Sequence, residues 1–250
     1  MEIVIIGTGN TATVLGRKLK AAGHHIVQVF GRNAEAASAL AYELGTKSAN
    51  YWSVVNRDAD LYMLAVSDIA ISEIMNELQL SDKTIVHTAA SVSKDILEAS
   101  KHYGVFYPLQ SLKKELNHLP DIPIIIDASD EATLHQLETL ATSISNNVVE
   151  ANDAERLKLH LAAVFCNNFV NHLYVLMEKY CCKEGLEFGL LIPLIKETAL
   201  RLDEVLPSKA QTGPAARRDS NTISRHMELL SNHPLLKEFY QLFTKSIQEH

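Results

Sequence analysis

The turn after the first apolar run of the chain has the residue types and spacing of a nucleotide-binding turn. The predicted cofactor contacts, which directly follow the apolar residues 2–6, are Gly7, Thr8, Gly9, Asn10, Thr11 and Ala12. Gly7 permits a tight turn, Gly9 lets a pyrophosphate approach the backbone, and Ala12 lets the next helix lie close to the strands. The free N–H groups at the start of that helix attract the phosphates. An ordinary glycine turn is the alternative, but a strand before and a helix after the motif favour dinucleotide binding.

The end of the second apolar run, at residues 26–30, indicates which dinucleotide binds. A site that prefers NAD usually has an Asp or Glu here, which holds the ribose 2′-hydroxyl. This chain has Arg32 instead, and a guanidinium can pair with the 2′-phosphate of NADP through charge-assisted hydrogen bonds. We therefore predict NADP as the cofactor, with the alternative that Arg32 is a solvated loop residue. The predicted contacts here are Gly31, Arg32 and Asn33.

The next two apolar runs end in segments that contain polar residues, at residues 66–68 and 88–91. Parallel strands end at one edge of a sheet, where open α/β sheets hold ligands, so these residues are expected near the cofactor ribose or nicotinamide. For Asp68 and Ser91 the alternative is that they cap the helices that follow. His87 lies inside its run, and we predict a packed, hydrogen-bonded side chain there. The predicted cofactor contacts are Val66, Ser67, Asp68 and Thr88, and Ser91 is a predicted catalytic residue.

A stripe of polar side chains interrupts an otherwise apolar helix in the second half of the chain. Asn167, Asn168 and Asn171 follow His160 by seven, eight and eleven residues, spacings that place all four on one helix face. Such groups need partners, either other helices or a polar substrate in a cleft. An imidazole titrates near neutrality and can donate the proton that accompanies hydride transfer from a nicotinamide. We therefore predict His160 and Asn168 as catalytic residues and Asn167 as a substrate contact.

Two further segments are predicted to contact the substrate. Residues 107–111 end a strand at the same sheet edge and supply Gln110. Residues 211–219 form a rigid turn in which the adjacent side chains of Arg217 and Arg218 suit a carboxylate or phosphate. The alternative for these arginines is a surface loop that faces water or a partner subunit. We predict Arg217 as an anion contact, and we predict no metal site.

These residues need a framework of strands and helices to hold them. Apolar, β-branched runs alternate with helical stretches at residues 2–6, 26–30, 61–66, 84–87, 104–107, 122–126 and 148–149. This alternation predicts the α/β class, with a doubly wound parallel sheet of the Rossmann type covered by helices on both faces. Helices alone are predicted afterwards, at 153–183 with Asp153 as its cap, and at 193–206, 219–231 and 234–248. We therefore expect a dinucleotide-binding domain at 1–151 and an all-helical domain at 152–250.

The composition excludes several other classes of protein. With 23 Lys and Arg against 30 Asp and Glu, no basic surface for nucleic acid is expected. Polar residues interrupt the apolar segment 157–177, so we expect no membrane span. The first residues read as a strand and not as a secretory signal. Three cysteines, an odd number with a vicinal pair, favour a reducing compartment, and we expect a cytoplasmic protein.

The chain resembles a family of Rossmann-like oxidoreductases whose second part is a helical domain of uncharacterised function. This family lies within the larger group of ketopantoate reductase, pyrroline-5-carboxylate reductase and deazaflavin-dependent NADP reductases. The resemblance rests on the glycine motif, residues 107–111, His160 with Asn167 and Asn168, and residues 212–214 with Arg217 and Asp219. Arg218 departs from the family's pattern, which favours glycine at this place. Lys158 has no asparagine one turn later, where Ala162 stands, so a lysine mechanism is not carried over.

This resemblance implies NADP-linked reduction of a small carbonyl compound, with a 2-keto acid of the ketopantoate type as the preferred substrate class. It also implies a homodimer through the helical domain, with a fold similar to the C-terminal domain of 6-phosphogluconate dehydrogenase. A second enzyme hypothesis is reduction of a cyclic imine of the pyrroline type, which needs no strong acid because the iminium is already activated. A third hypothesis is a regulatory protein that binds NADP without turnover, although the polar stripe argues against it.

Overall fold

The computed structural model describes residues 1–116 and 118–249. Its strands are β1 (Glu2–Ile6), β2 (His25–Phe30), β3 (Lys47–Ala49), β4 (Leu61–Leu64), β5 (Thr84–His87), β6 (His102–Pro108), β7 (Ile124–Ala128) and β8 (Val148–Glu150). They form one eight-stranded sheet in the order β3-β2-β1-β4-β5-β6-β7-β8. The chain builds outward from β1 to one side and then from β4 to the other. The ends of β1 and β4 therefore mark the switch point at which open α/β sheets bind ligands.

The predicted α/β class with a Rossmann-type sheet is confirmed, with two departures. Strands β6 and β7 pair antiparallel, with Tyr107 opposite Ile125, whereas the other neighbouring pairs are parallel. A parallel pair needs a crossover connection, usually a helix, and the described residues between β6 and β7 contain none. The strand β3 was not predicted, because it has three residues of which only Ala49 is buried.

The helices of this part cover both faces of the sheet. They are α1 (Asn10–Ala21), α2 (Ala34–Leu44), α3 (Ala70–Leu78) and α4 (Glu131–Thr142). Alternate residues of β1 point to opposite faces. Ile3 and Ile5 belong to the core that includes residues of α1, α2 and α4, whereas Val4 and Ile6 belong to the core that includes residues of α3. Burial on both faces explains why the strands read as continuous apolar runs.

The helical part begins with α5 (Asp153–Ala163), which a π-helical segment (Val164–Phe169) separates from α6 (Val170–Lys183). The predicted cap, Asp153, is wrong, because the Asn152 side chain caps α5. Asn152 accepts a hydrogen bond from the backbone N–H of Glu155, whose carboxylate accepts one from the N–H of Asn152. The other helices are α7 (Ile192–Leu200), α8 (Pro207–Ala210), α9 (Ser220–Leu229) and α10 (Pro234–Glu249). The helix predicted at 193–206 is shorter, because the chain tightens into a 3-10 turn at Arg201–Asp203.

The chain divides into two compact units, Met1–Asn168 and Phe169–His250. The first contains the sheet and α5. In the described part of the second, only Cys181 and Ala215 are buried. The domain boundary expected near residue 151 stays a prediction. Over residues 1–116 and 118–249, no helix has both the length and the apolar character needed to cross a membrane.

Candidate functional site

A cleft of about 770 Å³ opens where β1, β2 and β4 end. Its volume lies within the range of ligand and cofactor sites, roughly 300–1,000 Å³. Phe30 and Trp52 line it on the β2 and β3 side, and Glu73 and Glu77 line it from α3. Most of the predicted cofactor contacts line it as well, namely Gly7, Thr8, Gly9, Thr11, Gly31, Arg32, Asn33, Val66 and Ser67.

Two glycines shape the floor of the cleft. Gly7 has a φ of +129°, and a Cβ there would lie 2.1 Å from the carbonyl oxygen of Ala65, so no other residue fits without distortion. A Cβ on Gly9 would meet no protein atom within 4 Å. Gly9 also precedes α1 without a side-chain cap, which leaves the N–H groups of the first turn available to a phosphate. This geometry fits the pyrophosphate of a dinucleotide.

Two residues of the predicted glycine motif lie outside the cleft lining. Ala12 is fully buried in the core. The side-chain oxygen of Asn10 accepts a hydrogen bond from the backbone N–H of Lys114 at 3.3 Å, which ties the loop after β6 to the start of α1. Both residues support the turn that forms the cleft, and their predicted contact with the cofactor stays a prediction.

The far end of the cleft carries the residues predicted to select NADP. Arg32 is exposed beside the start of α2, and Asn33 caps α2 by accepting a hydrogen bond from the N–H of Ala36 at 2.9 Å. The ring of Phe30 stacks on that of Trp52 with centroids 3.9 Å apart. Sequence reasoning missed Trp52, because it follows the unpredicted strand β3. Arg32 is available to a 2′-phosphate at this end of the cleft.

Ser91 and Asp68 come together between the ends of β4 and β5. The hydroxyl of Ser91 donates a hydrogen bond to Oδ2 of Asp68 at 2.7 Å. The capping alternative is wrong for both residues, because α3 begins without a side-chain cap and Ser93 caps the 3-10 turn after β5. Thr88 is half-buried, and its hydroxyl lies 3.4 Å from the carbonyl oxygen of Leu64.

The buried side chain of His87 holds the loop after β5, as predicted for a packed histidine. Its Nδ1 accepts a hydrogen bond from the N–H of Ala89 at 3.2 Å, and its Nε2 lies 3.3 Å from the carbonyl oxygen of Ser93. Nε2 therefore carries the proton and donates to Ser93. Burial and then the charge of Arg156 lower the pKa of His87 to about 4. The neutral ring shapes the loop that carries Ser91.

His160 pairs with a tyrosine at the end of β6. The hydroxyl oxygen of Tyr107 and Nδ1 of His160 are 3.0 Å apart, and the rings meet edge to face. Tyr107 is 9% exposed, and burial raises the pKa of its hydroxyl while the charge of Arg156 opposes this rise. Sequence reasoning placed residues 107–111 at the sheet edge but did not pair Tyr107 with His160.

Arg156, one turn before His160, fastens α5 to the loop that carries Ser91. Its side chain is 1% exposed and donates to the carbonyl oxygens of Ala90 at 3.1 Å and Val92 at 2.5 Å. It also pairs with Asp153 at 2.7 Å. Ser91 lies between Ala90 and Val92 in the chain. Arg156 therefore holds the loop that carries Ser91 against the helix that carries His160.

The π-helical segment modifies the predicted polar stripe. Asn167 and Asn168 lie within it, and both are exposed. A π turn holds about one residue more than an α turn. Asn168 therefore falls closer to the line of His160 than Asn167 does. The catalytic role of Asn168 and the substrate contact of Asn167 stay predictions.

The other predicted substrate contacts have partners of their own or lie in the second unit. The Gln110 amide donates to the carbonyl oxygen of Asp121 at 3.3 Å and accepts from the N–H of Ser111 at 2.9 Å. Arg217 is exposed in the second unit, and its anion contact stays a prediction. Arg218 has a φ of +54°, in the left-handed region that favours glycine, the residue that the resemblance implies at this place. In the described part of the chain, no group of three or more His, Cys, Asp or Glu side chains is arranged to hold a metal.

An open sheet with a glycine turn and a cleft at its switch point defines the class of dinucleotide-binding proteins. Residues 2–91 match the family described as NADP oxidoreductase, coenzyme F420-dependent. Residues 122–247 match the family described as a domain of unknown function, DUF2520. The chain belongs to the DUF2520 family, with an NADP oxidoreductase domain at its N-terminus. The predicted family and the predicted cofactor, NADP, are thereby confirmed.

Solved structures share this fold over nearly the whole chain. A provisionally named NADP oxidoreductase from Bacteroides fragilis is 38% identical, with coverage of 100% of this chain and 98% of that one and a TM-score of 0.91. A protein from Thermotoga maritima is 24% identical over 99% of this chain and 100% of that one, with a TM-score of 0.79. Pyrroline-5-carboxylate reductase from Streptococcus pyogenes is 14% identical over 100% and 99%, with a TM-score of 0.68. No curated protein matches the chain.

Proposed function

We propose that the chain is an NADPH-dependent reductase of small carbonyl compounds, with 2-keto acids of the ketopantoate type as the preferred substrate class. The observation that supports this proposal is a row of side chains along the carboxyl edge of the sheet. The row begins at Arg32 and the glycine turn in the cleft, continues through Ser91 and ends at Tyr107 with His160. The glycine turn at α1 would hold the phosphates of a dinucleotide, and the residues that follow β4 and β5 would hold its nicotinamide. Ser91 and His160 are then on the substrate side.

The side chains of this row suit the two transfers of a carbonyl reduction. NADPH supplies the hydride. His160, as an imidazolium, donates its proton to the carbonyl oxygen as the hydride reaches the carbonyl carbon, and the ring is left neutral. Asn168 donates a hydrogen bond that orients the carbonyl group. The Ser91 hydroxyl donates its proton to Asp68, so its oxygen is left to accept a hydrogen bond from the nicotinamide amide. Asp68 holds the Ser91 hydroxyl at 2.7 Å and so limits its rotation.

Reduction of a cyclic imine is the second candidate. The fold shared with the pyrroline-5-carboxylate reductase of Streptococcus pyogenes supports it. An iminium carbon accepts a hydride without a strong acid, so this reaction would depend less on His160 than carbonyl reduction does. The two candidates therefore differ in the expected effect of a histidine substitution.

The test is NADPH oxidation by the full chain with a panel of 2-keto acids and cyclic imines. We expect His160→Ala to lower kcat for the 2-keto acid about a hundredfold, a typical contribution of a general acid. His135→Ala, which changes an 82% exposed histidine of α4, is the control and should keep the wild-type kcat. Oxidation with imines alone would favour the second candidate. Binding of NADPH without turnover of any compound would overturn both and favour a regulatory protein.

We expect Arg32→Asp to weaken NADPH binding about thirtyfold and to leave NADH binding unchanged. The reason is that loss of one charge-assisted hydrogen bond costs roughly 2 kcal/mol, and a carboxylate would also repel the 2′-phosphate. Trp52 is the single tryptophan of the chain and lines the cleft, so quenching of its fluorescence measures both affinities. Lys101→Asp is the control, because it makes the same charge change just before β6, at the amino ends of the strands and away from the cleft. Equal NADPH affinity in the two variants would contradict the role of Arg32.

We propose further that the chain forms a homodimer through its second unit. That unit exposes large apolar side chains, including Leu190 at 75%, Leu206 at 65% and Leu229 at 63%. Burial of such side chains against a second copy would remove apolar area from water, and two-fold symmetry offers the same surface in return. Sedimentation should give the mass of a dimer, and a monomer at all concentrations would contradict the proposal. The cytoplasmic location stays a prediction.

A further inference from the structure

We propose that Tyr107 is a positioning residue whose hydroxyl oxygen accepts a hydrogen bond from Nδ1–H of His160, so that Nε2 is the nitrogen that delivers the proton. This inference rests on the proposed function, because it concerns the histidine of the same site. The observation behind it is the 3.0 Å distance between the Tyr107 hydroxyl oxygen and Nδ1 of His160. Tyr107 acts through His160, because the hydroxyl is the one polar group of its side chain and is paired with the imidazole.

The sheet holds Tyr107 in a fixed position. Tyr107 lies opposite Ile125 in the ladder between β6 and β7. Its side chain packs in a small core with Val105, Ile125 and Ala151. Leu159, the neighbour of His160 on α5, packs against the same core. A side chain packed in this way keeps one rotamer, so its hydroxyl marks a fixed point for the imidazole.

Hydrogen bonds also hold α5, the helix that carries His160, in place. Arg156 lies four residues before His160 and therefore on the same face of α5. Its hydrogen bonds to Ala90 and Val92 hold this face against the loop after β5. Arg156 thus fixes the position of the helix, and Tyr107 fixes the orientation of the imidazole ring of His160.

The direction of the Tyr107–His160 hydrogen bond follows from the chemistry of the acid form. Both ring nitrogens of an imidazolium are donors, so the tyrosine oxygen can only accept from Nδ1–H. Burial raises the pKa of Tyr107, so the phenol keeps its own proton at neutral pH. When Nε2 transfers its proton to the carbonyl oxygen, the neutral ring retains the Nδ1 proton and its bond to Tyr107. Nε2 then takes up a proton from solvent, and the cycle closes.

Tyr107→Phe keeps the aromatic ring and removes the oxygen that positions His160. We expect kcat with a carbonyl substrate to fall about tenfold, as for the loss of one hydrogen bond. KM and NADPH affinity should stay at their wild-type values. Tyr103→Phe is the matched control on the same strand, since its hydroxyl lies 3.5 Å from Asp95, and it should keep the wild-type kcat. Thermal unfolding of both variants checks that they fold.

Nitrogen-15 chemical shifts of the histidine ring report the tautomer without turnover. In the wild-type chain, we expect neutral His160 to carry its proton on Nδ1, and in Tyr107→Phe a shift of the proton toward Nε2. The signal of His160 is assigned by its loss in His160→Gln. A wild-type ring protonated on Nε2, or a tautomer that Tyr107→Phe leaves unchanged, would overturn the inference. Because the shifts need no substrate, a failure of the proposed reduction remains distinguishable from a failure of this inference.

Discussion

The Gly9→Ala variant is expected to fold like the wild-type chain and to bind NADP about a hundredfold more weakly, a loss of roughly 3 kcal/mol. The fold accepts the new methyl group, because a Cβ on Gly9 meets no protein atom within 4 Å and φ is −81°. The same methyl group occupies space in the cleft that a pyrophosphate needs at the start of α1. It therefore lengthens the charge-assisted hydrogen bonds between the first-turn amides and the phosphates. Quenching of Trp52 fluorescence measures the affinity.

Gly7→Ala is the matched variant, because it places the same methyl group two residues earlier. There the Cβ would lie 2.1 Å from the carbonyl oxygen of Ala65, at a φ of +129°. We expect this variant to lose both NADP binding and thermal stability, whereas Gly9→Ala loses only the binding. A Gly9→Ala chain that bound NADP with wild-type affinity would show that no phosphate lies against this turn.

Much of the sheet could be predicted because burial on both faces leaves a strong signal in the sequence. Ile3 and Ile5 pack on one face of β1 and Val4 and Ile6 on the other, so the strand reads as an unbroken apolar run. The antiparallel β6 and β7 give the same apolar pattern as a parallel pair. Whether two strands run parallel or antiparallel depends on the connection between them. The pattern of apolar and helical stretches in the sequence does not show this.

The cofactor end of the site followed from a rule of topology. Residues just after parallel strands share one edge of a sheet, and this rule places Gly7, Arg32 and Ser67 around one cleft. Trp52 could not be found in this way, because it follows the three-residue strand β3. A strand with one buried residue is too short to show an alternating pattern.

The substrate end depends on contacts between residues far apart in the chain. Tyr107 and His160 are 53 positions apart, and Arg156 reaches back 66 positions to Ala90. No local spacing encodes such pairs. The π-helical segment is a further example, because it changes the angular position of Asn167 and Asn168 relative to His160 on a helix that the sequence pattern treats as regular.

The buried histidine His87 should link the stability of the fold to pH. In the folded chain, burial and the nearby charge of Arg156 lower the pKa of His87 to about 4, below the usual 6.5. Between these two values the unfolded chain binds a proton at this residue and the folded chain does not. The free energy of unfolding therefore falls as the pH falls through this range.

Acidification from about pH 6.5 to about pH 4 should lower the free energy of unfolding by about 3 kcal/mol through His87 alone. Urea unfolding of the wild-type chain and of His87→Gln over this range measures the effect. Glutamine does not titrate, and its amide can still donate to Ser93, so we expect a shallower pH dependence in this variant. His135→Gln, at an exposed histidine of α4, should keep the wild-type slope. Equal slopes for His87→Gln and the wild type would mean that the folded chain tolerates a charged ring at this position.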